Sequence, residues 1–271
     1  MRYEKLFDGT DIPVLGLGTY TLGGGLSTDR SRDREHVALI REAVAMGYRH
    51  IDTAQLYGGG HTEELVGEGV SGFDREQLFI TTKVRSGDLA YRRVHRALEG
   101  SLERLRTSYV DLYLIHWPNP AIPLKSTFKA FNELLERGSI RYAGVSNFRA
   151  SQVQRARELC DAPLAVNQVE YSVGCRAPER NGVLRSCREQ GILLTAYEPL
   201  GKGRLIADPV LQKVADRHRV STARVALAWL LARPGIITIP MTSRREHLED
   251  NLASLDLVLD EQDLRDLEGL A

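Results

Sequence analysis

Hydrophobic positions along this chain switch period again and again. Short β-branched and aliphatic runs alternate with stretches in which apolar residues return every three or four positions. LFDGTDIP (Leu6–Pro13) predicts a small hairpin turning at Asp8-Gly9. VLGLGTY (Val14–Tyr20) predicts a first strand, followed by a glycine loop and a helix over Asp33–Met46. RHIDTA leads to a helix from about Thr62, and LFITTK (Leu78–Lys83) to a helix over Tyr91–Leu105 whose Val94, Leu98, Leu102 and Leu105 share one face. DLYLIHW precedes a helix through Phe128–Arg137, IRYAGVSNF one over Ser151–Cys160, and LAVNQVEY one near Arg180–Glu189. ILLTAYEPL is followed by a helix over Ser221–Ala232, GIITIP (Gly235–Pro240) is the eighth strand, and the remainder reads as helical. Eight β/α units with no Pro/Ser-rich linker predict an α/β protein: a single (β/α)8 TIM barrel with a short N-terminal β-hairpin, one domain over residues 1–271. A doubly wound sheet is the weaker option, because GLG at Gly16–Gly18 and GGG at Gly23–Gly25 are too short and misplaced for a dinucleotide fingerprint.

Composition narrows the function classes. Lys+Arg and Asp+Glu both number 36, so there is no electrostatic case for a nucleic-acid or anionic-membrane partner. Three scattered cysteines, Cys160, Cys175 and Cys187, form no CxxC pair and suit reduced thiols in a cytoplasmic protein. The first residues lack the apolar core of a signal peptide, and no run reaches the length of a membrane span. No His/Cys/Asp cluster has ligand spacing, so no metal is expected, and monomer is the default.

The candidate chemistry lies in Asp52, Tyr57, Lys83 and His116, on successive predicted strand ends, where a barrel carries its working loops. Three of them have a plain structural alternative: Asp52 as a turn cap, Tyr57 as a surface aromatic, His116 as a satisfied core histidine. Lys83 is harder to dismiss, because a strand-end lysine at a partly desolvated barrel mouth needs a partner. Together they can give a proton to a carbonyl oxygen. A phenol titrates near ~10 and needs a nearby cation to act as an acid at neutral pH. Lys83 is placed to lower Tyr57, Asp52 to hold Lys83, and His116 to orient the carbonyl.

Tyr48–Gly58 (YRHIDTAQLYG), Leu112–Pro118 (LYLIHWP), Ala143–Phe148 (AGVSNF) and Asn167–Tyr171 (NQVEY) resemble signatures of the aldo-keto reductases, short-loop bacterial members in particular. The resemblance reaches from the hairpin to about Leu259. It implies a barrel that binds an extended nicotinamide dinucleotide and passes its hydride to an aldehyde or ketone. It also implies that Tyr57 is the general acid, assisted by Lys83 and Asp52, with His116 donating to the carbonyl. By the same resemblance Ser146, Asn147 and Gln168 meet the nicotinamide carboxamide, Tyr197 stacks on its ring, and Gly18, Thr19 and Tyr20 border cofactor and substrate. Asp52 also borders the cofactor, and Leu200 and Gly201 begin the loop over the pyrophosphate.

At the adenosine end many members carry Pro-Lys-Ser and a following arginine, which hold the 2′-phosphate of NADP(H). This chain has Met241 and His247 in place of those two cations, within Pro240-Met241-Thr242-Ser243-Arg244-Arg245-Glu246-His247, with Asn251 beyond. Arg244 or Arg245 is the available substitute, so NADP(H) is favoured and NAD(H) is the alternative. The loops Asn119–Lys125 and Gly201–Asp208 are short, which implies an open, weakly discriminating site for a small-molecule carbonyl, walled by Tyr20 and Trp117. Arg85 stands where many members place an aromatic; it either favours carboxylate-bearing substrates or points to solvent. Two other functions fit parts of the pattern: a cofactor-sensing regulatory subunit without turnover, and a lyase forming a Schiff base through Lys83.

Overall fold

In the computed structural model, which describes residues 1–270, all eight expected β-runs are strands of one parallel sheet. A two-stranded antiparallel hairpin, β1 (Tyr3–Lys5) and β2 (Asp11–Pro13), comes first. The barrel follows as β3 (Gly16–Gly18), α1 (Asp33–Met46), β4 (His50–Asp52), α2 (His61–Gly69), β5 (Phe79–Val84), α3 (Tyr91–Leu105), β6 (Val110–Ile115) and α4 (Leu124–Glu136). Its second half is β7 (Ile140–Ser146), α5 (Ala150–Arg157), β8 (Val166–Glu170), α6 (Ala177–Arg180), α7 (Val183–Glu189), β9 (Leu193–Tyr197), α8 (Pro209–His218), α9 (Thr222–Leu231), β10 (Ile236–Thr238), α10 (Arg245–Ala253) and α11 (Glu261–Glu268).

Neighbours in the sheet run in chain order from β3 to β10, and bridges Leu15–Thr238 and Gly18–Met241 join its two edges. The Thr238 N–H donates to Val14 O at 2.8 Å and the Gly18 N–H to Pro240 O at 3.0 Å, so the sheet closes on itself. Gly18 is required at this seam, because a Cβ there would lie 2.6 Å from Ile239 O.

Three expectations need correction. The helix expected over Arg180–Glu189 is two pieces, broken where Gly182 takes φ +79°. The helix after β6 starts at Leu124, directly after Pro123, so the preceding loop is shorter than Asn119–Lys125. An additional helix, α8, precedes α9; Asp208 caps it by accepting from Val210 N and Leu211 N, and Pro209 occupies its first turn.

The helices pack on the sheet through stripes such as Val94, Leu98 and Leu105, while β5 and β6 are buried along their whole length. A second apolar cluster fills the N-terminal end of the barrel. Leu6 and Ile12 of the hairpin region enter it and meet Phe79, Leu112, Tyr142 and Leu193. The Tyr142 hydroxyl lies 2.7 Å from Asp8 Oδ2 and 2.8 Å from Thr10 Oγ1, which ties the hairpin across that end.

His50, fully enclosed on β4 with Nε2 3.0 Å from Thr81 Oγ1, makes a stability prediction. Burial drives its imidazole down to about 4, with the Asp52 carboxylate opposing and the Lys83 ammonium adding. Between the ordinary histidine value and about 4 the unfolded chain binds a proton that the folded chain does not. Stability is therefore fully present at neutral pH and declines as pH falls through that window, by up to about 3 kcal/mol for this one group. Thermal melts of wild type and His50→Asn across pH 4 to 7 should diverge, with the variant losing less on acidification. Parallel curves would show that His50 does not set acid stability.

Candidate active site

Asp52 ends β4, Lys83 is the penultimate residue of β5, and His116 directly follows β6. Parallel register brings these three adjacent strand ends together. Tyr57 comes from the loop after β4, where a tight turn with Gly58 and Gly59 at positive φ swings the chain back over the barrel. The sequence-predicted tetrad is thus one cluster. Lys83 is fully buried, and its Nζ donates to Asp52 Oδ1 at 2.5 Å, Thr53 O at 2.9 Å and Tyr57 Oη at 3.3 Å. Three acceptors satisfy the three protons of a buried ammonium, which is what a charge in this position needs.

Burial pulls Lys83 toward neutrality, but Asp52 and then Tyr57 outweigh it, and its pKa ends above the usual lysine value. A lysine held protonated is a poor amine nucleophile, which removes the basis of the Schiff-base alternative.

Tyr57 departs from expectation. Although its ring is partly exposed, its hydroxyl lies beside buried Lys83, and desolvation raises the phenol above its ordinary value. Lys83 opposes that rise, but the Asp52 carboxylate offsets part of its influence. The cation limits the cost of forming a phenolate without making Tyr57 acidic at rest. His116 is pushed down to about 3 by burial and by the Lys83 charge, so its imidazole is neutral at physiological pH. The Tyr57 ring meets Tyr20 edge-on at 5.1 Å and His116 at 5.6 Å, which holds its plane against two aromatic neighbours.

The expected nicotinamide residues form an ordered polar rim beside this cluster. Gln168 Nε2 donates to Asp52 Oδ2 at 2.8 Å, occupying the carboxylate oxygen that Lys83 does not use. Ser146 Oγ donates to Gln168 O at 2.9 Å, and Asn147 Nδ2 donates to His116 O and Ser146 Oγ. Tyr197 donates its hydroxyl to Asn147 Oδ1 at 2.9 Å, and Asn147 itself has φ +63°, a left-handed conformation asparagine tolerates. Thr19 Oγ1 donates to Asp52 O at 2.9 Å. Because Gln168 gives its amino group to Asp52, its carbonyl end is the one left to accept from a carboxamide. This donor and acceptor set fits a nicotinamide.

Gly201 is buried with φ +56° at the head of the turn that follows Leu200, and Lys202 pairs with Glu198 at 3.2 Å. At the other end of the rim, Met241 is 37% exposed and its Sδ accepts from Thr21 Oγ1, so no cation stands there. Thr242 is buried, its Oγ1 accepts from the Arg244 N–H at 3.0 Å and lies 3.3 Å from His247 Nδ1, while Ser243 and Arg244 are exposed. Arg245 pairs with Glu42 and Glu249. Asn251 is buried on the inner side of α10.

Four supporting hydrogen bonds, in two groups, are not specified by the residue pattern. The Gly58 N–H donates to Gly25 O at 2.6 Å and Thr28 Oγ1 donates to Gly58 O at 2.7 Å, so the glycine loop after β3 clamps the turn that carries Tyr57. Glu63, fully buried, accepts from Thr82 Oγ1 at 2.6 Å and from Arg104 Nε at 2.8 Å. The Arg104 guanidinium packs where a Cβ on Gly60 would lie, which explains the glycine there. The clustered glycines at 23–25 and 58–60 were the only visible signal.

Residues 14–271 match the model of the Aldo/keto reductase family. The chain belongs to that family. This reductase is 37% identical over 268 residues to a glyoxal reductase of Bacillus subtilis (strain 168), covering 98% of this chain and 91% of that one. It is 34% identical over 263 residues to a methylglyoxal reductase of Escherichia coli (strain K12), covering 95% and 90%. Among solved structures, a thermostable aldo-keto reductase in complex with the inhibitor epalrestat superposes with a TM-score of 0.97 at 45% identity, covering 100% of both chains. An aldo/keto reductase from Klebsiella pneumoniae in complex with NADP and acetate gives 0.91 at 33% identity, covering 99% of this chain and 94% of that one. The chain is therefore an oxidoreductase that reduces carbonyls to alcohols with a nicotinamide cofactor, and the regulatory reading finds no support among these relatives. Among the described residues, no helix is long and apolar enough to cross a membrane and no group of side chains could hold a metal ion.

Proposed function

We propose that Tyr57 is the general acid of an NADP(H)-dependent reduction of small aldehydes and ketones, and that a reactive dicarbonyl is the preferred class. The observation that carries this is the Asp52–Lys83–Tyr57 chain of hydrogen bonds ending at a phenol kept protonated beside a neutral imidazole. The hydride is the chemistry that a bound nicotinamide supplies. Tyr57 and His116 donate to the carbonyl oxygen from two sides, so negative charge developing there meets two donors already in place. Tyr57 then releases its proton to that oxygen, and the Lys83 ammonium stabilises the phenolate while Asp52 holds the ammonium still. Ser146, Asn147, Gln168 and Tyr197 would hold the nicotinamide end, Gly18, Thr19, Leu200 and Gly201 the middle, and Thr242, Ser243, His247 and Asn251 the adenosine end. Glyoxal and methylglyoxal, named for two relatives, support the dicarbonyl class. The reading also takes the protein as one domain over 1–271, cytoplasmic and monomeric.

Consumption of NADPH, then NADH, with methylglyoxal and with a panel of simple aldehydes tests the reading. Faster turnover of the dicarbonyl with NADPH supports it, and no consumption of either cofactor with any carbonyl sinks it. For the cofactor, Arg244 is exposed and forms no ion pair among the described residues, which leaves it free for a 2′-phosphate. Arg244→Ala should raise KM for NADPH about tenfold, the worth of one charge-assisted hydrogen bond, and leave KM for NADH unchanged. Equal effects on both cofactors would remove Arg244 from that role.

A further inference from the structure

The β5 strand runs out at Val84 into a short turn over Ser86–Asp88, wedged between the loop carrying Tyr57 and the segment carrying His116. The His116 N–H donates to Val84 O at 3.0 Å, and Asn119 Nδ2 donates to Ser86 O at 2.9 Å. On the other side Gln55, two residues before Tyr57, accepts from the Arg85 N–H at 3.2 Å through Oε1. Its Nε2 donates to Asp88 Oδ2 at 3.1 Å. This turn therefore borders the entrance to the proposed site. The sequence offers one cation there, Arg85, either favouring carboxylate-bearing substrates or pointing to solvent. The structure pairs it: Arg85 Nε donates to Asp88 Oδ2 at 2.6 Å, with the Arg85 side chain 55% exposed and Asp88 14% exposed. Arg93 stands behind the same turn, its Nη1 donating to Gly87 O at 3.2 Å.

We infer that Asp88 is a specificity-determining residue: by pairing with Arg85 it cancels the positive charge at the entrance and makes the reductase indifferent to a carboxylate on its substrate. The inference rests on the reductase reading above. At rest Arg85 Nε is held by Asp88 while the remainder of its side chain, 55% exposed, faces solvent. Its Nε donates to Asp88 Oδ2, and the Gln55 amide donates to the same oxygen and holds that carboxylate in place. With the carboxylate neutralised, Arg85 would stand at the entrance as an uncompensated cation. Entering anions would be favoured by an amount typical of exposed pairs and screened by salt.

The test compares para-nitrobenzaldehyde with para-carboxybenzaldehyde as probes and reads the ratio of their KM values in wild type, D88N, R85Q and the double variant. D88N should lower KM for the carboxylate probe about threefold relative to the neutral one, and 0.5 M NaCl, a concentration at which the Debye length shrinks to roughly 4 Å, should erase the gain. R85Q leaves Asp88 unpaired and should shift the ratio the opposite way, while R85Q/D88N should return it to the wild-type value. An unchanged ratio in D88N overturns the inference. So does a double variant that stays as poor toward the acid as R85Q, because Arg85 would then bind carboxylates directly. If D88N does not fold, the double variant still decides between these outcomes. A wild type that turns over neither probe overturns the reductase reading and this inference with it; an active wild type with an unmoved ratio overturns only the inference.

Discussion

Tyr57→Phe is expected to reduce kcat for carbonyl reduction by about a thousandfold, the scale of a lost general acid, with cofactor affinity almost unchanged. The substitution removes one oxygen. The ring keeps its edge contacts with Tyr20 and His116, and Lys83 keeps Asp52 and Thr53 as acceptors. Because the hydroxyl acts on the developing oxyanion, the loss should appear equally in kcat and kcat/KM. The wild-type pH profile of kcat should stay flat from neutrality to about 10, since burial holds the phenol protonated beyond its ordinary value. Stopped-flow and steady-state assays with NADPH and methylglyoxal check both points. A variant that keeps more than a tenth of wild-type kcat would move the proton donor elsewhere.

Lys83→Met should cost more than catalysis. Removing the ammonium strands the Asp52 carboxylate, 1% exposed, with Gln168 as its remaining side-chain donor. A buried pair broken in this way typically costs about 3–5 kcal/mol, because the charge left behind is uncompensated. Chemical denaturation should show that loss, together with a kcat near the Tyr57→Phe level. Adding Asp52→Asn separates the two effects: the double variant should recover most of the stability, since neither charge remains, and none of the activity. Recovery of turnover in the double variant would mean that the ion pair is architectural and that Tyr57 needs no cation.

These two expectations draw on different amounts of legible sequence. The tetrad could be read because each member sits at the end of a β-run, and the parallel register of a barrel makes strand ends neighbours. The strands were equally readable, since their apolar runs must fill a sheet buried on both faces. The resting state of Tyr57 could not be read. Its sign depends on how desolvation compares with two opposite charges, and that balance exists only once the chain is folded. Two contacts, Gln168 on Asp52 and Asp88 on Arg85, were also missed. Gln168 and Asp52 lie on β8 and β4, far apart in the chain, and Asp88 resembles any surface-turn aspartate until Gln55 is seen to lock it. Helix α8 was a different kind of omission, because Asp208-Pro209 is a readable start signal that the flanking loop obscured.

The hairpin that seals the N-terminal end of the barrel divides the molecule for anyone wishing to engineer it. Leu6, Ile12, Phe79, Leu112 and Tyr142 meet at the base of the strands, whereas Asp52, Lys83 and His116 sit at or just beyond their tips. Repacking that base to withstand heat or solvent touches no residue of the proposed chemistry, and remodelling the entrance leaves the base intact. Thermal tolerance and substrate range can therefore be selected in separate libraries and the winners combined.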